Sequence, residues 1–141
     1  MNRYSFEEIE KGMEESFQVN VTPDMLEKFK EITGDINPLH TDEVFAKEKG
    51  YDNTVVYGML TASFLSTLAG VYLPGEKSLI HSVETKFVKP VFVGDTLTIS
   101  GKVAEKNELF SVFTLKVTIT NQHGEKVLRG SMQIGVLADG E

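Results

Sequence analysis

Between Asn53 and Glu76 the chain carries no charged residue. Within that interval, YGMLTASFLSTLAGVYLP sets Met59, Leu60, Phe64, Leu65, Leu68 and Val71 among Gly, Ala, Ser and Thr. The Gly, Ser and Thr interruptions mark a core helix rather than a membrane span. A helix without a charged face predicts burial nearly all round, and Pro74-Gly75 closes it with a turn. The rest of the chain must therefore supply something that wraps a helix.

Downstream the period changes from helical to alternating. Val83, Thr85 and Phe87 oppose Glu84 and Lys86, and Leu97, Ile99 and Val103 oppose Thr98, Ser100 and Lys102. Phe113, Leu115, Val117 and Ile119 oppose Thr114, Lys116, Thr118 and Thr120, and Leu128, Met132, Ile134 and Val136 make a fourth run. Each predicts a strand with one buried face, and the separators at 90–95, 105–108 and 121–125 hold turn residues. Upstream, 14–21 reads as a first strand. Thr22 is an N-cap, Pro23 the first helical position and Asp24 a complement to the positive helix end. Met25, Leu26, Phe29 and Ile32 keep helical spacing until Gly34, and a second short helix spans 42–49 before Gly50. The expectation is a single α+β domain over 1–141, an antiparallel sheet curled around one buried helix. One sheet cannot cover such a helix completely, which predicts a homodimer, often joined sheet edge to sheet edge.

Charge narrows the partners. The 141 residues carry a formal charge of −7, which argues against nonspecific binding to nucleic acid or to an anionic membrane. There is no Cys, so disulfides, thiolate nucleophiles and Cys-based zinc sites are excluded, and three scattered His argue against a catalytic metal. The start, MNRYSFEEIEKGMEES, is polar and acidic where a signal peptide would be apolar, so the expected compartment is the cytoplasm.

Residues 34–40, GDINPLH, bring a carboxylate, a carboxamide and an imidazole into one short loop. One reading is purely local: Asp35 and Asn37 fold side-chain turns onto nearby backbone N–H groups, Pro38 stops the helix, and His40 caps the next helix or lies at the surface. The other is chemical. Pro38 fixes its own backbone and restricts Asn37, so Asp35 and His40 converge at little entropic cost and exchange protons with one water. VVYGML, at the start of the apolar helix, adds unpaired backbone N–H groups, and Gly58 lets a ligand oxygen approach them. Such a donor suits a thioester carbonyl that becomes an enolate; otherwise Gly58 serves only tight packing.

The block FKEITGDINPLHTDEVFAKEKGYDNTVVYGMLTASFLS resembles the hydratase motif of the MaoC-like family, the (R)-specific enoyl-CoA hydratases, and FVKPVFVGDTL resembles that family's strand–turn–strand signature. The likeness runs from about Met25 to the end of the chain. It implies the hot-dog fold, usually dimeric, and reversible syn-addition of water to a trans-2-enoyl-CoA, giving (R)-3-hydroxyacyl-CoA. By matching positions it implies Asp35 and His40 as the catalytic pair, Asn37 as loop support, the Gly58 N–H as donor to the thioester oxygen, and Ser66 as an assisting serine. Coenzyme A enters as part of the acyl-CoA substrate, with no separate cofactor. The family commonly has His before the helix-start glycine. This chain has Tyr57, expected to alter the acyl pocket or the protonation of the pair. Lys86, Lys89, Lys126 and Arg129 are available for the CoA phosphates, although outward-facing lysines are usually only solvated. Alternatives on the same fold are dehydration of 3-hydroxyacyl groups on acyl carrier protein, a thioesterase, and a noncatalytic acyl-CoA-binding module.

Overall fold

The computed structural model describes residues 1–139. Five antiparallel strands, β1 (Glu14–Asn20), β2 (Ser78–Phe87), β3 (Thr96–Asn107), β4 (Val112–Thr120) and β5 (Lys126–Val136), form one sheet in the order β1-β3-β4-β5-β2. Between β1 and β2 lie α1 (Pro23–Thr33), α2 (Pro38–Thr41), α3 (Glu43–Glu48) and α4 (Gly58–Thr67), and α4 runs on into a π-helical segment, Leu68–Tyr72. The alternation read from β3, β4 and β5 holds: Leu97, Ile99, Leu115, Ile119, Leu128 and Ile134 are fully buried, packed with Leu65, Leu68 and Ala69 of the central helix. Among the described residues no helix is long and apolar enough to cross a membrane.

Two gaps in the inward series let the sheet curl. The series on β3 skips at Gly101 and that on β5 at Gly130, and both glycines register against Val117 of β4. A Cβ on Gly101 would stand 2.9 Å from Leu115 Cδ2 and 3.0 Å from Leu68 Cδ2, so glycine here admits the helix. A Cβ on Gly130 would stand 1.9 Å from the Glu84 carbonyl oxygen, so glycine here lets β2 fold in across β5.

Three expectations change. α4 is covered on one side only: Leu60, Thr61 and Leu65 are buried, whereas Met59, Ser63 and Ser66 face outward and Met59 is 66% exposed. β2 has no buried residue at all, with Val83 47% and Phe87 52% exposed, and it is an edge strand that pairs only with β5. Pro38 does more than stop a helix. It is the first residue of α2, a turn absent from the sequence reading, while the helix expected over 42–49 is α3 with Asp42 as its N-cap.

Candidate active site

The site begins where α1 ends. Gly34 takes a left-handed conformation (φ 72°) and its N–H bonds to Lys30 O, which turns the chain out of the helix. Both local turns of GDINPLH form: Asp35 Oδ1 accepts from Asn37 N–H at 3.1 Å, and Asn37 Oδ1 accepts from Leu39 N–H at 2.9 Å, capping α2. The two readings of the loop are therefore compatible, because the turns that fold it locally also present its polar groups. Asp35 is exposed and His40 half-buried. His40 Nδ1 lies 2.6 Å from the Val55 carbonyl oxygen. A carbonyl only accepts, so Nδ1 carries the hydrogen, and Nε2 is the nitrogen left to exchange a proton.

α4 supplies the other half. Thr22, Asn37 and Asp42 cap α1, α2 and α3 with their side chains, but Tyr57 makes no cap bond to α4. Among the described residues no carbonyl accepts the Gly58 N–H, so an unpaired donor at the positive helix end is left for a bound molecule. The Tyr57 side chain turns the other way. It is 2% exposed, its hydroxyl donates to the Asp35 backbone carbonyl at 2.7 Å, and its ring lies 4.3 Å from His40 and 4.8 Å from Phe29, centroid to centroid. Burial, and then the nearby Asp35 carboxylate, raise its pKa above the ordinary phenol value, which keeps it a donor.

Two cavities meet at this point. The larger, about 560 Å³, is bordered by Asp35, His40, Tyr57, Gly58, Met59 and Phe87 among others. The smaller, about 260 Å³, shares His40, Gly58 and Phe87 and is otherwise mostly apolar, with Val55, Val56, Val88, Val91 and Val127 in its wall. Phe87 borders both, and a Cβ on Gly58 would stand 3.1 Å from its Cε1. Thr61 also borders the smaller cavity, 2% exposed, and its hydroxyl has no hydrogen-bond partner among the described residues. An unpaired buried hydroxyl costs about 1–3 kcal/mol, a penalty that a ligand atom accepting its proton removes.

The structure thus gathers Asp35, His40, Tyr57 and Gly58 at the larger cavity, while Asn37 caps α2 and is not among the residues bordering either cavity. Ser66 sits on the outward face of α4, eight residues beyond Gly58, and is not among the residues bordering either cavity. Sequence reasoning missed Phe87, which registered only as one apolar member of an alternating strand, and Thr61, hidden among the small residues of α4. Lys86 and Arg129 face each other across the β2–β5 ladder and, with Lys116, line a groove away from His40; Lys89 borders the smaller cavity and pairs with Glu125. Among the described residues no three His, Asp or Glu side chains group to hold a metal ion.

An antiparallel sheet curled around one central helix, with polar groups gathered at the start of that helix, is the hot-dog architecture. The chain belongs to the MaoC-like domain family, whose model matches residues 5–127. It is similar to an (R)-specific enoyl-CoA hydratase of Aeromonas caviae, 37% identical over 102 residues, 72% of this chain and 76% of that protein. It is also similar to one of Rhodospirillum rubrum, 31% identical over 139 residues, 96% of this chain and 93% of that protein. The solved (R)-hydratase of A. caviae superposes with a TM-score of 0.87 at 31% identity, covering 92% of this chain and 98% of that one. Other relatives are named for carrier-protein substrates, such as a mitochondrial 3-hydroxyacyl-[acyl-carrier-protein] dehydratase of Arabidopsis thaliana, 32% identical over 72 residues, 51% of this chain and 42% of that protein.

Proposed function

We propose that the protein is an (R)-specific enoyl-CoA hydratase, adding water reversibly to trans-2-enoyl-CoA to give (R)-3-hydroxyacyl-CoA. The observation that carries the reading is the meeting, at one cavity, of Asp35, His40 and the uncapped start of α4 at Gly58. The thioester oxygen takes the Gly58 N–H, the acyl tail enters the smaller apolar cavity, and the pantetheine arm leaves through the larger one. A water held between Asp35 Oδ2 and His40 Nε2 gives a proton to the pair as its oxygen bonds to C3. The electrons of the double bond pass to C2 and the thioester, and the enolate oxygen that forms is stabilised by the Gly58 donor, worth about 3 kcal/mol in comparable sites. The pair then returns a proton to C2 on the same face. Asp35 and His40 act as a coupled unit in these transfers.

Coenzyme A rather than acyl carrier protein is favoured by the extent of the matches: the hydratase relatives cover 72% and 96% of this chain, and the carrier-protein dehydratase 51%. The working form is a homodimer. β2 is an open edge with Leu79, Ile80, Val83 and Phe87 exposed, beside the uncovered face of α4, and a second copy buries both.

The test is hydration of crotonyl-CoA, followed by loss of the conjugated-thioester absorbance and chiral analysis of the product. The (R) alcohol is expected. Asp35→Asn retains the turn to Asn37 but removes the charge, and should lower kcat by about 10²–10⁴-fold, as should His40→Ala. Full activity in either variant would discard the pair, and thioester hydrolysis without hydration would make the protein a thioesterase.

A further inference from the structure

We propose that Tyr57 is the positioning residue of this site, setting the distance between the acid–base pair and the start of α4. The inference rests on the hydratase reading for its kinetic consequence and on geometry for its substance. Tyr57 touches all three parts that the reaction must align. Its own carbonyl accepts from Leu60 and Thr61 N–H in the first turn of α4, so its backbone belongs to the helix whose next residue is Gly58. Its hydroxyl reaches back 22 residues in sequence to the Asp35 carbonyl, at 2.7 Å. Its ring lies against His40 on one side and Phe29 of α1 on the other.

Asp35 needs such a tie. It stands in an exposed loop after the end of α1, its N–H held there by Thr33 Oγ1 at 3.2 Å, and among the described residues its side chain bonds only forward, to Asn37. Nothing in those local turns sets where the loop sits relative to α4. His40 is anchored separately, by Nδ1 to Val55 O and by Val55 N–H to Leu39 O. Among the described residues the hydroxyl of Tyr57 is the direct side-chain hydrogen bond between Asp35 and the start of the helix that carries Gly58. Tyr57 borders the larger cavity, but it is 2% exposed and its hydroxyl proton is already given to Asp35 O, so that donor is spent within the protein. Burial and Asp35 hold the phenol protonated, with Lys30 and Glu27 of α1 the other charges that it senses.

Tyr57→Phe keeps the ring and removes only the tie. The variant should hydrate crotonyl-CoA with kcat lowered about tenfold or more and KM within about twofold, because misplacing a reacting group by a fraction of an ångström acts on the transition state. Backbone ¹⁵N relaxation read on the same protein should show residues 34–37 mobilised, with order parameters falling from the rigid range near 0.85, while β4 is unchanged. Wild-type kcat in the variant overturns the proposal. So does a lowered kcat with an unmoved loop, which would make the hydroxyl a substrate contact. If the wild-type protein hydrates nothing, the functional reading fails, and the relaxation comparison still decides the role of Tyr57. If the variant does not fold, the wild-type protein suffices: the Tyr57 hydroxyl proton should give a slowly exchanging resonance, and its absence overturns the tie.

Discussion

At the scale of single residues, the site is defined by what neighbouring groups leave unpaired. Val55 O takes the Nδ1 hydrogen of His40 and thereby frees Nε2; the lack of a side-chain cap on α4 frees the Gly58 N–H. Phe87 then limits what position 58 can hold. Gly58→Ala should fold with stability within about 1 kcal/mol of wild type, since alanine gains helix propensity while the half-exposed Phe87 ring shifts away. Its kcat/KM for crotonyl-CoA should fall at least about tenfold, because the new methyl and the displaced ring occupy the meeting point of the cavities. A thermal melt beside a rate measurement separates the two effects. Tyr57 makes a prediction in pH. Its folded-state pKa is raised above the ordinary 10.0, so its contribution to stability is fully present below about pH 10 and is lost as pH rises through the folded value, because the unfolded chain ionises first. Denaturation midpoints of wild type and Tyr57→Phe should therefore converge in the alkaline range; parallel curves would contradict the assigned shift.

At the scale of elements, alternation carried most of the fold, and its interruptions carried more than they seemed to. Gly101 and Gly130, which the sequence reading passed over, flank Val117 and mark where the helix presses in and where β2 crosses β5. Gly130→Ala should destabilise the protein by about 2–3 kcal/mol, since its Cβ meets backbone rather than a movable side chain; a chemical denaturation curve within error of wild type would refute that account. The helix cap at Thr22 and the loop polar groups were legible because each acts over two or three residues, whereas Asp42, read as the first residue of a helix, turned out to cap it. The burial of β2 was not legible, because alternation reports a strand's two faces and says nothing about whether a neighbour covers them. α2 escaped for a local reason: proline ends one helix and starts another with equal ease, and a single turn has no period to read. The role of Tyr57 was out of reach for the opposite reason, since its partner lies 22 residues away.

At the scale of the whole molecule, the chain leaves apolar surface uncovered along one side. Met59 and Val71 on the central helix, and Val83, Phe87 and Val88 on or beside the edge strand, are all exposed. A monomeric protein rarely keeps so much apolar surface together, and burying it is what the proposed homodimer does. Val83→Lys, with a charge introduced into the middle of that edge, should give a monomer by analytical ultracentrifugation where the wild type gives a dimer.

One further consequence follows from where Phe87 and Val88 sit, at the open edge, with Phe87 in the walls of both cavities and Val88 in the wall of the smaller. In the proposed homodimer the same short piece of chain would be both cavity wall and seam. Turnover per molecule should then be a property of the solution as much as of the protein: rates measured near the dimer's dissociation constant would rise faster than linearly with enzyme, and a dilute assay would mistake a dissociating enzyme for a poor one.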